Sequence, residues 1–380
     1  MGAHARIPPS DAWAWVPCPA RIQMCERFPA LTVDPSAAEG EAAHWVAFNR
    51  FLYPDQPISG LAPNGLPITD EMLQGADVYA RAIRSVTAPW GACSRVTLEK
   101  RRSIRLIHPE MFGTGDADVD LRAETGELHF FDYKFGHLEV DPYRNPQLIC
   151  YLAGKLEELG LLPADVPHLK VVFHIVQPRS YHPDGPVRTW RTTVLQLLDD
   201  MRRITAAAFG ALGTNPQYGV GPQCSYCPAA RGCPALRRNS HASMAFASTG
   251  MPVELDGVAL GIELRNASRM LELLSARVDA LKEQADSMLR NGGEVLHHQI
   301  GEGRGATIWT QPPEQVLALG RLLGVNLAKE SAPITPTQAK EVFKKSNLDP
   351  SVLVGYSKRI PGAKKLCAVD DTTAAKVFNQ

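Results

Sequence analysis

Gly113-Thr-Gly-Asp116-Ala-Asp118-Val119, a short spacer, then Leu128-His-Phe-Phe-Asp132-Tyr-Lys134 is the stretch whose reading decides the fold. It reads as two adjacent strands. Side chains alternate between the faces of a strand, so Asp132 and Lys134 point the same way, with Tyr133 on the other side. Glu124-Thr-Gly-Glu127 is a turn, which sets the strand carrying Asp116 antiparallel beside it. Two carboxylates near a lysine match the needs of metal-assisted phosphodiester cleavage. Hard oxygen ligands hold a divalent cation such as magnesium, and a lysine orients the nucleophilic water or steadies developing charge. Asp118 lies two residues beyond Asp116 on the same face and competes with it as a ligand.

Working outward, the 380 residues suffice for two or three domains, and 44% hydrophobic with 21% charged residues is ordinary for a soluble globular chain. No run of about 18 apolar residues and no apolar signal core is present, which excludes a membrane span and points to the cytoplasm. Forty basic against forty acidic residues give no overall footprint for nucleic acid, so a DNA-binding surface has to be local. Lys100-Arg101-Arg102 with Arg105, Arg237-Arg238, Lys344-Lys345 and Lys364-Lys365 are the candidates, each singly a solvated charge cluster.

Three of the eight cysteines form Cys224-x2-Cys227-x5-Cys233 within a Pro/Gly-rich stretch. In a cytoplasmic chain this spacing suits a metal rather than a disulfide. A fourth ligand is needed, Cys18 by preference and Cys25 as fallback. Thiolates suit zinc or an iron–sulfur cluster alike. Cys93, Cys150 and Cys367 read as buried small hydrophobes.

The rest of the chain alternates helices and strands. Ser10 starts a short helix, Gly40 to Leu52 and Ile68 to Val86 are helical (Thr69 capping the second), and Ser94 to Glu99 is a strand. After the hairpin come a helix from Asn145 to Leu162, with Gln147 and Tyr151 on one face, a buried strand from Lys170 to Gln177, and a helix from Thr192 to Leu212. The order predicts a mixed sheet flanked by helices. From Val258 to Arg290 the apolar positions Leu264, Ala267, Leu271, Leu274, Val278, Leu281, Ala285 and Met288 form a heptad-like stripe on a long helix. It is expected to pack back on the preceding domain, with a homo-oligomeric contact through residues 258–290 as the second reading. Gly301 to Trp309 reads as a glycine-rich hairpin, Thr335-Pro-Thr-Gln338 as a capping box, and Gly355 to Gln380 has no assigned role.

In their order, these pieces resemble the RecB-like branch of the PD-(D/E)XK nuclease superfamily, which includes the RecB and AddB nuclease domains and the CRISPR adaptation exonuclease. The pattern there is a helix histidine, an acidic residue, Gly-x-x-Asp, Asp/Glu-x-Lys and a Gln-x-x-x-Tyr helix. His44, Glu99, Asp116, Asp132 with Lys134, and Gln147 with Tyr151 match it. A still closer likeness is to a phage and prophage family with a similar Trp-x-x-Cys-Pro start and Asp-Tyr-Lys strand. The likeness covers about residues 6–240.

The resemblance implies an α/β fold with a restriction-endonuclease-like mixed central sheet flanked by helices, plus a mainly helical C-terminal region. Residues 1–240 would be a nuclease domain closed by a four-cysteine cluster, 250–292 the long helix, and 293–380 a small α+β region. It implies Asp116, Asp132, His44 and the Tyr133 carbonyl as ligands of magnesium or manganese, with Lys134 acting on water. Glu99, Gln147 and Tyr151 would assist. Cys18, Cys224, Cys227 and Cys233 would hold a 4Fe-4S cluster, with zinc as the alternative. The implied activity is that of a metal-dependent DNA nuclease, an exonuclease in phage DNA recombination or processing, working on DNA ends in a bacterial host. A single-strand annealing or other DNA-binding protein would be its partner. A nuclease-fold DNA-binding module that assists such a protein and barely cuts is the alternative.

Overall fold

The computed structural model describes residues 5–32, 34–91, 95–180, 182–247, 255–302, 306–329, 332–346, 348–360 and 364–368. Cys93 and Ser94 lie outside them. Two compact units divide the chain, residues 1–280 and 281–380.

The first unit opens with two short helices, α1 (Ala12–Trp15) and α2 (Arg21–Arg27). Ser10 does not cap α1. It sits in a single 3-10 turn after Pro8 and Pro9, and no side chain caps that turn. Two longer helices follow, α3 (Pro35–Leu52) and α4 (Asp70–Thr87). Asp34 accepts from Ser36 N to start α3 five residues earlier than the apolar pattern indicates, and Thr69 accepts from Met72 N to start α4. The sheet comprises β1 (Arg95–Ser103), β2 (Phe112–Leu121), β3 (Glu127–Tyr133), β4 (Lys170–Val176) and β5 (Val187–Thr193), hydrogen-bonded in that order. Only the β3–β4 pairing is parallel. Helix α5 (Pro146–Glu158) makes the crossover between those two strands, and α6 (Val194–Leu212) follows β5.

The sheet separates two cores. Ala117, Val119, Leu121, Phe131 and Tyr133 face α3 and α4. Leu128, Phe130, Val171, Phe173 and Ile175 face α5 and α6. The result is the expected mixed α/β architecture, with β5 as an addition. Its sequence, Val-Arg-Thr-Trp-Arg-Thr-Thr, alternates well, but two arginines mask it. Arg188 is in fact buried, donating to Val140 O at 2.6 Å and Gln177 Oε1 at 2.6 Å.

A buried polar chain crosses the α3/α4 face. His174 Nδ1 lies 2.9 Å from Thr189 Oγ1, His174 Nε2 3.1 Å from His129 Nδ1, and His129 Nε2 3.2 Å from Glu127 Oε2. One set of neutral tautomers satisfies every contact: threonine donates to His174, His174 to His129, and His129 to the carboxylate. Burial holds His174 down at about 3. The folded state therefore binds fewer protons than the unfolded state between about pH 3 and 6.5, and stability is lost as pH falls through that window. From pH 6.5 to pH 5 the loss from this group is about 2 kcal/mol. Urea unfolding at the two pH values is expected to show it, with a shallower dependence in His174→Phe. An equal dependence in both proteins would refute the assignment.

Helix α7 (Pro234–Ala247) and the long helix α8 (Gly257–Arg290) complete the helices of this unit. Leu273, Ala276 and Ala280 of α8 pack against Cys224, Ala230 and Leu236. The heptad-like stripe is a different face: within this unit Leu264 and Leu271 are about two-thirds exposed and Val278 is 41% exposed. The face that docks is set by one leucine and two alanines, a narrower apolar face than the stripe of large side chains.

The second unit is α+β. Helices α9 (Pro313–Leu322) and α10 (Pro336–Lys345) enclose a core of Val316, Leu327, Ala339, Phe343 and Leu353. Thr335 and Gln338 form the expected capping box. Within the segment read as a hairpin, the described strands do not pair with each other. Strand β6 (His298–Glu302) pairs with β11 (Lys364–Ala368), and β7 (Ala306–Trp309) pairs with β10 (Ser357–Ile360), so Gly355 onward supplies both partners. Strands β8 (Ala328–Lys329) and β9 (Ala332–Pro333) form a third small pair. No described helix is long and apolar enough to cross a membrane.

Candidate active site and cysteine centre

Where β2 leaves β3, the ladder ends in a side chain. Residues 117–121 pair with 131–127, but Tyr133 N donates to Asp116 Oδ2 at 2.7 Å instead of to a carbonyl. On the other side of β2, Leu98 pairs with Ala117 and Lys100 with Gly115, and Glu99 between them has φ 44°. A glutamate in the left-handed region breaks the alternation of β1, and such outliers gather at functional sites. The three strands open around a cavity of about 450 Å³.

His44, Glu99, Asp116, Asp132, Lys134, Gln147 and Tyr151 all line that cavity. His44 Nδ1 is 3.5 Å from Asp116 Oδ1 and 3.9 Å from Glu99 Oε1. Among the described residues, these three form the one set of His, Cys, Asp or Glu ligand atoms within 4.8 Å of one another. Lys134 Nζ lies 3.0 Å from Asp132 Oδ1 and 3.0 Å from Gln147 Oε1. Gln147 Nε2 donates to the same Asp132 oxygen at 2.8 Å and to Tyr151 OH at 3.1 Å. Tyr133 takes part through its backbone, and its ring lies under His44 at 5.3 Å between centroids.

Helix α5 explains this placement. Asn145 caps it by accepting from Gln147 N and Leu148 N. Gln147, Tyr151 and Lys155, each four residues apart, then run along the acidic face of the sheet. Gln147 meets Asp132, Tyr151 lies over Gly115, and Lys155 Nζ meets Asp118 at 2.8 Å. Asp118 also takes Arg102 NH2 at 2.6 Å and does not line the cavity. It is therefore committed to a buried ion network with Glu158, apart from Asp116. The sequence reading missed Lys155, although it continues the spacing of Gln147 and Tyr151.

The wall opposite is the N-terminal segment. Pro8, Pro9 and Ser10 line the cavity. A side chain at Gly113 would meet Pro9 Cγ at 2.7 Å, so glycine there lets this wall approach. No local signal in the sequence marks these residues.

Burial pushes the Asp132 carboxyl up to about 6, with Lys134 opposing. Burial likewise raises Asp116, with His44 opposing. Desolvation pulls His44 down, but Asp116 and Glu99 outweigh it and lift the imidazole to about 8. Tyr151 is pushed well above the ordinary phenol range by burial, then by Asp116 and Asp132, and stays protonated. Asp132 Oδ2 makes no hydrogen bond, although Lys134 Nζ is 2.9 Å away. The donor set is two buried carboxylates, a third carboxylate and an imidazole, which suits a divalent cation.

The second constellation is built from both ends of the first unit. Trp15, fully buried, donates to Pro8 O at 2.9 Å. Arg21 forks onto Asp11 and donates to Tyr226 O at 3.2 Å. Gln23 reaches Ala211 O and Gly213 O, and Ala20 N donates to Gln217 O. Cys18 and Cys25 thereby pack with Cys227, and Cys224, Cys227 and Cys233 share a neighbouring cluster. The Cys25 thiol donates to Cys227, which holds Cys227 down at about 6, and burial raises Cys18 and Cys224. Five cysteines thus meet here. Cys150 is buried elsewhere in the apolar core.

The model of a family described as "Protein of unknown function (DUF2800)" matches residues 4–374, and the chain belongs to that family. The crystal structure of SSO0001 aligns with 62% of this chain and 88% of its own at 16% identity. The TM-score of that alignment is 0.29, too low to carry an argument.

Proposed function

We propose that this member of the DUF2800 family is a metal-dependent DNA nuclease of the RecB-like PD-(D/E)XK type, working as an exonuclease. The observation that carries the reading is the meeting of His44, Glu99, Asp116, Asp132 and Lys134 around one cavity of about 450 Å³. His44, Asp116, Asp132 and the Tyr133 carbonyl would hold magnesium or manganese, with Glu99 beside them. Bound there, the ion would supply Lewis acidity to the scissile phosphate and acidity to a water.

The chain's own residues do the rest. Asp116 is fixed by the Tyr133 N–H, leaving Oδ1 to face His44. Gln147 holds Lys134 and Asp132 at once, so the ammonium keeps its place when the carboxylate turns to a ligand. Lys134 then presents its remaining N–H groups to the attacking water or the developing charge. Tyr151, protonated, is a donor for a phosphate oxygen.

The cysteines would hold a 4Fe-4S cluster that pins the N-terminal wall to residues 217–233. A single zinc held by four thiolates is the alternative. Cys18, Cys224, Cys227 and Cys233 are the ligands of choice, with Cys25 as a neighbour to Cys227.

The test is cleavage of end-labelled linear single- and double-stranded DNA beside a closed circle. Loss of linear DNA with magnesium or manganese, arrest by chelator and survival of the circle are expected. Clear DNA binding with no metal-dependent cleavage would replace this reading with that of an accessory DNA-binding module.

A further inference from the structure

Of the four basic clusters in the chain, the first has three members paired internally, while its Arg101 stacks on Phe112 and lines the catalytic cavity. Arg102 is bound by Asp118 and Glu158, Lys100 by Glu158, and Arg105 by Glu157. Arg237 and Arg238 on α7 differ. With His241 they lie one helical turn apart, so all three share a face. That face borders a second open cavity of about 670 Å³, completed by Arg231, Cys233 and Arg277. No carboxylate lines it. The side chains of Arg237, Arg238 and His241 make no hydrogen bond or ion pair among the described residues.

The other two guanidinium groups are preset. Arg231 donates to Pro228 O at 2.8 Å and Pro29 O at 2.7 Å. Arg277 NH1 donates to Ala230 O at 3.1 Å and Arg231 O at 2.6 Å. Backbone carbonyls carry no full charge, and among the described residues no carboxylate pairs with any of the four arginines; the one acidic group in the lining is Cys233 of the cysteine centre. Gathering like charges in a concavity costs free energy, and a bound anion offsets it. Arginine, planar and with several donors, suits phosphate oxygens.

We propose that this cavity beside the cysteine centre is a second DNA contact, holding backbone phosphates away from the catalytic carboxylates. The choice of DNA as the anion rests on the nuclease reading. It also accounts for how a chain of zero net charge grips a polyanion: its positive charge is local.

The test is fluorescence anisotropy of the full chain with labelled duplex and single-stranded DNA in chelator, where nothing is cut. The comparison is wild type against Arg237→Gln/Arg238→Gln across a salt series. Each phosphate contact contributes roughly 0.7–0.9 to the slope of log affinity against log salt. The double variant is expected to lose about 1.5 from that slope and roughly tenfold or more in affinity near 0.1 M salt. Arg237→Lys/Arg238→Lys is expected to regain most of the slope, because charge and not shape carries it. Both side chains are exposed, and each single glutamine variant should read about half of the change.

An unchanged slope, or no DNA binding by the wild type, overturns the proposal. So does loss of binding to phosphatidylserine vesicles with DNA binding intact, which would assign the cavity to a membrane surface. Binding is read without cleavage. An inactive catalytic centre therefore leaves this result legible, and an unchanged slope leaves the cleavage result standing.

Discussion

Lys134→Ala protein is expected to bind linear DNA as the wild type does and to cleave it at least a hundredfold more slowly. Lys134 Nζ touches Asp132 at 2.9 Å and Gln147 at 3.0 Å, and it is the one lysine lining the cavity. Asp132 is fully buried, and the ammonium is the main influence opposing the rise of its pKa. Removing it takes away the donor that faces the reacting water and also leaves a buried carboxyl that favours its protonated form. Losing one preorganised donor of this kind costs about 3–4 kcal/mol in the transition state, or two to three powers of ten in rate. The measurement is single-turnover cleavage at saturating magnesium, with anisotropy alongside. A rate equal to wild type would mean that the cutting comes from another protein in the preparation. A loss of binding matching the loss of rate would make Lys134 a binding residue.

Gly219→Ala is expected to lower the thermal midpoint of the first unit by about 6–12 °C, from a loss of about 3 kcal/mol. A Cβ at Gly219 would collide with the Pro17 carbonyl oxygen, lie 2.9 Å from the Pro17 carbonyl carbon and 3.5 Å from Cys18 Cα. All of these are backbone atoms, so no side chain can swing aside, and the N-terminal segment has to lift. The Ala20–Gln217 hydrogen bond and the approach of Cys18 to Cys227 go with it. Gly210→Ala is the internal control. Its Cβ would meet only Pro19 Cβ at 3.8 Å, an ordinary contact, inside helix α6 where alanine is the better former. Equal midpoints for Gly219→Ala and wild type, read by circular dichroism, would show that the segment is not held there.

The hairpin was legible because alternation is a strong code. Period two puts Asp132 and Lys134 on one face but leaves Asp116 and Asp118 equal, and it is the resemblance to the Gly-x-x-Asp pattern that picks Asp116. The helical period puts Gln147 and Tyr151 on one face. The Glu99 conformation was not legible, since glutamate carries no signal for a left-handed backbone, and it is tertiary pairing on both sides of β2 that imposes it. The proline wall at Pro8 and Pro9 was hidden for a related reason: its partners are Gly113 and the far end of the domain. On α8, spacing revealed an apolar stripe but not which stripe is docked. Leu273 packs there because Ala276 and Ala280 let α8 approach the loop that carries Cys224, which no count of large hydrophobics registers.

The strap formed by residues 5–29 also sets a clock. Its anchors come late in the chain: Arg21 waits for Tyr226, 205 residues downstream, and Gln23 for Gly213, 190 residues downstream. At roughly 5–20 residues per second of synthesis, the delay is about 10–40 s. During that time the carboxylates on β2 and β3 have emerged while the wall of their cavity has only its packing on β2 and α5 and lacks its later polar anchors. A nascent chain therefore carries its acidic cluster with the wall only partly held, and these anchors close only after Tyr226 has left the ribosome.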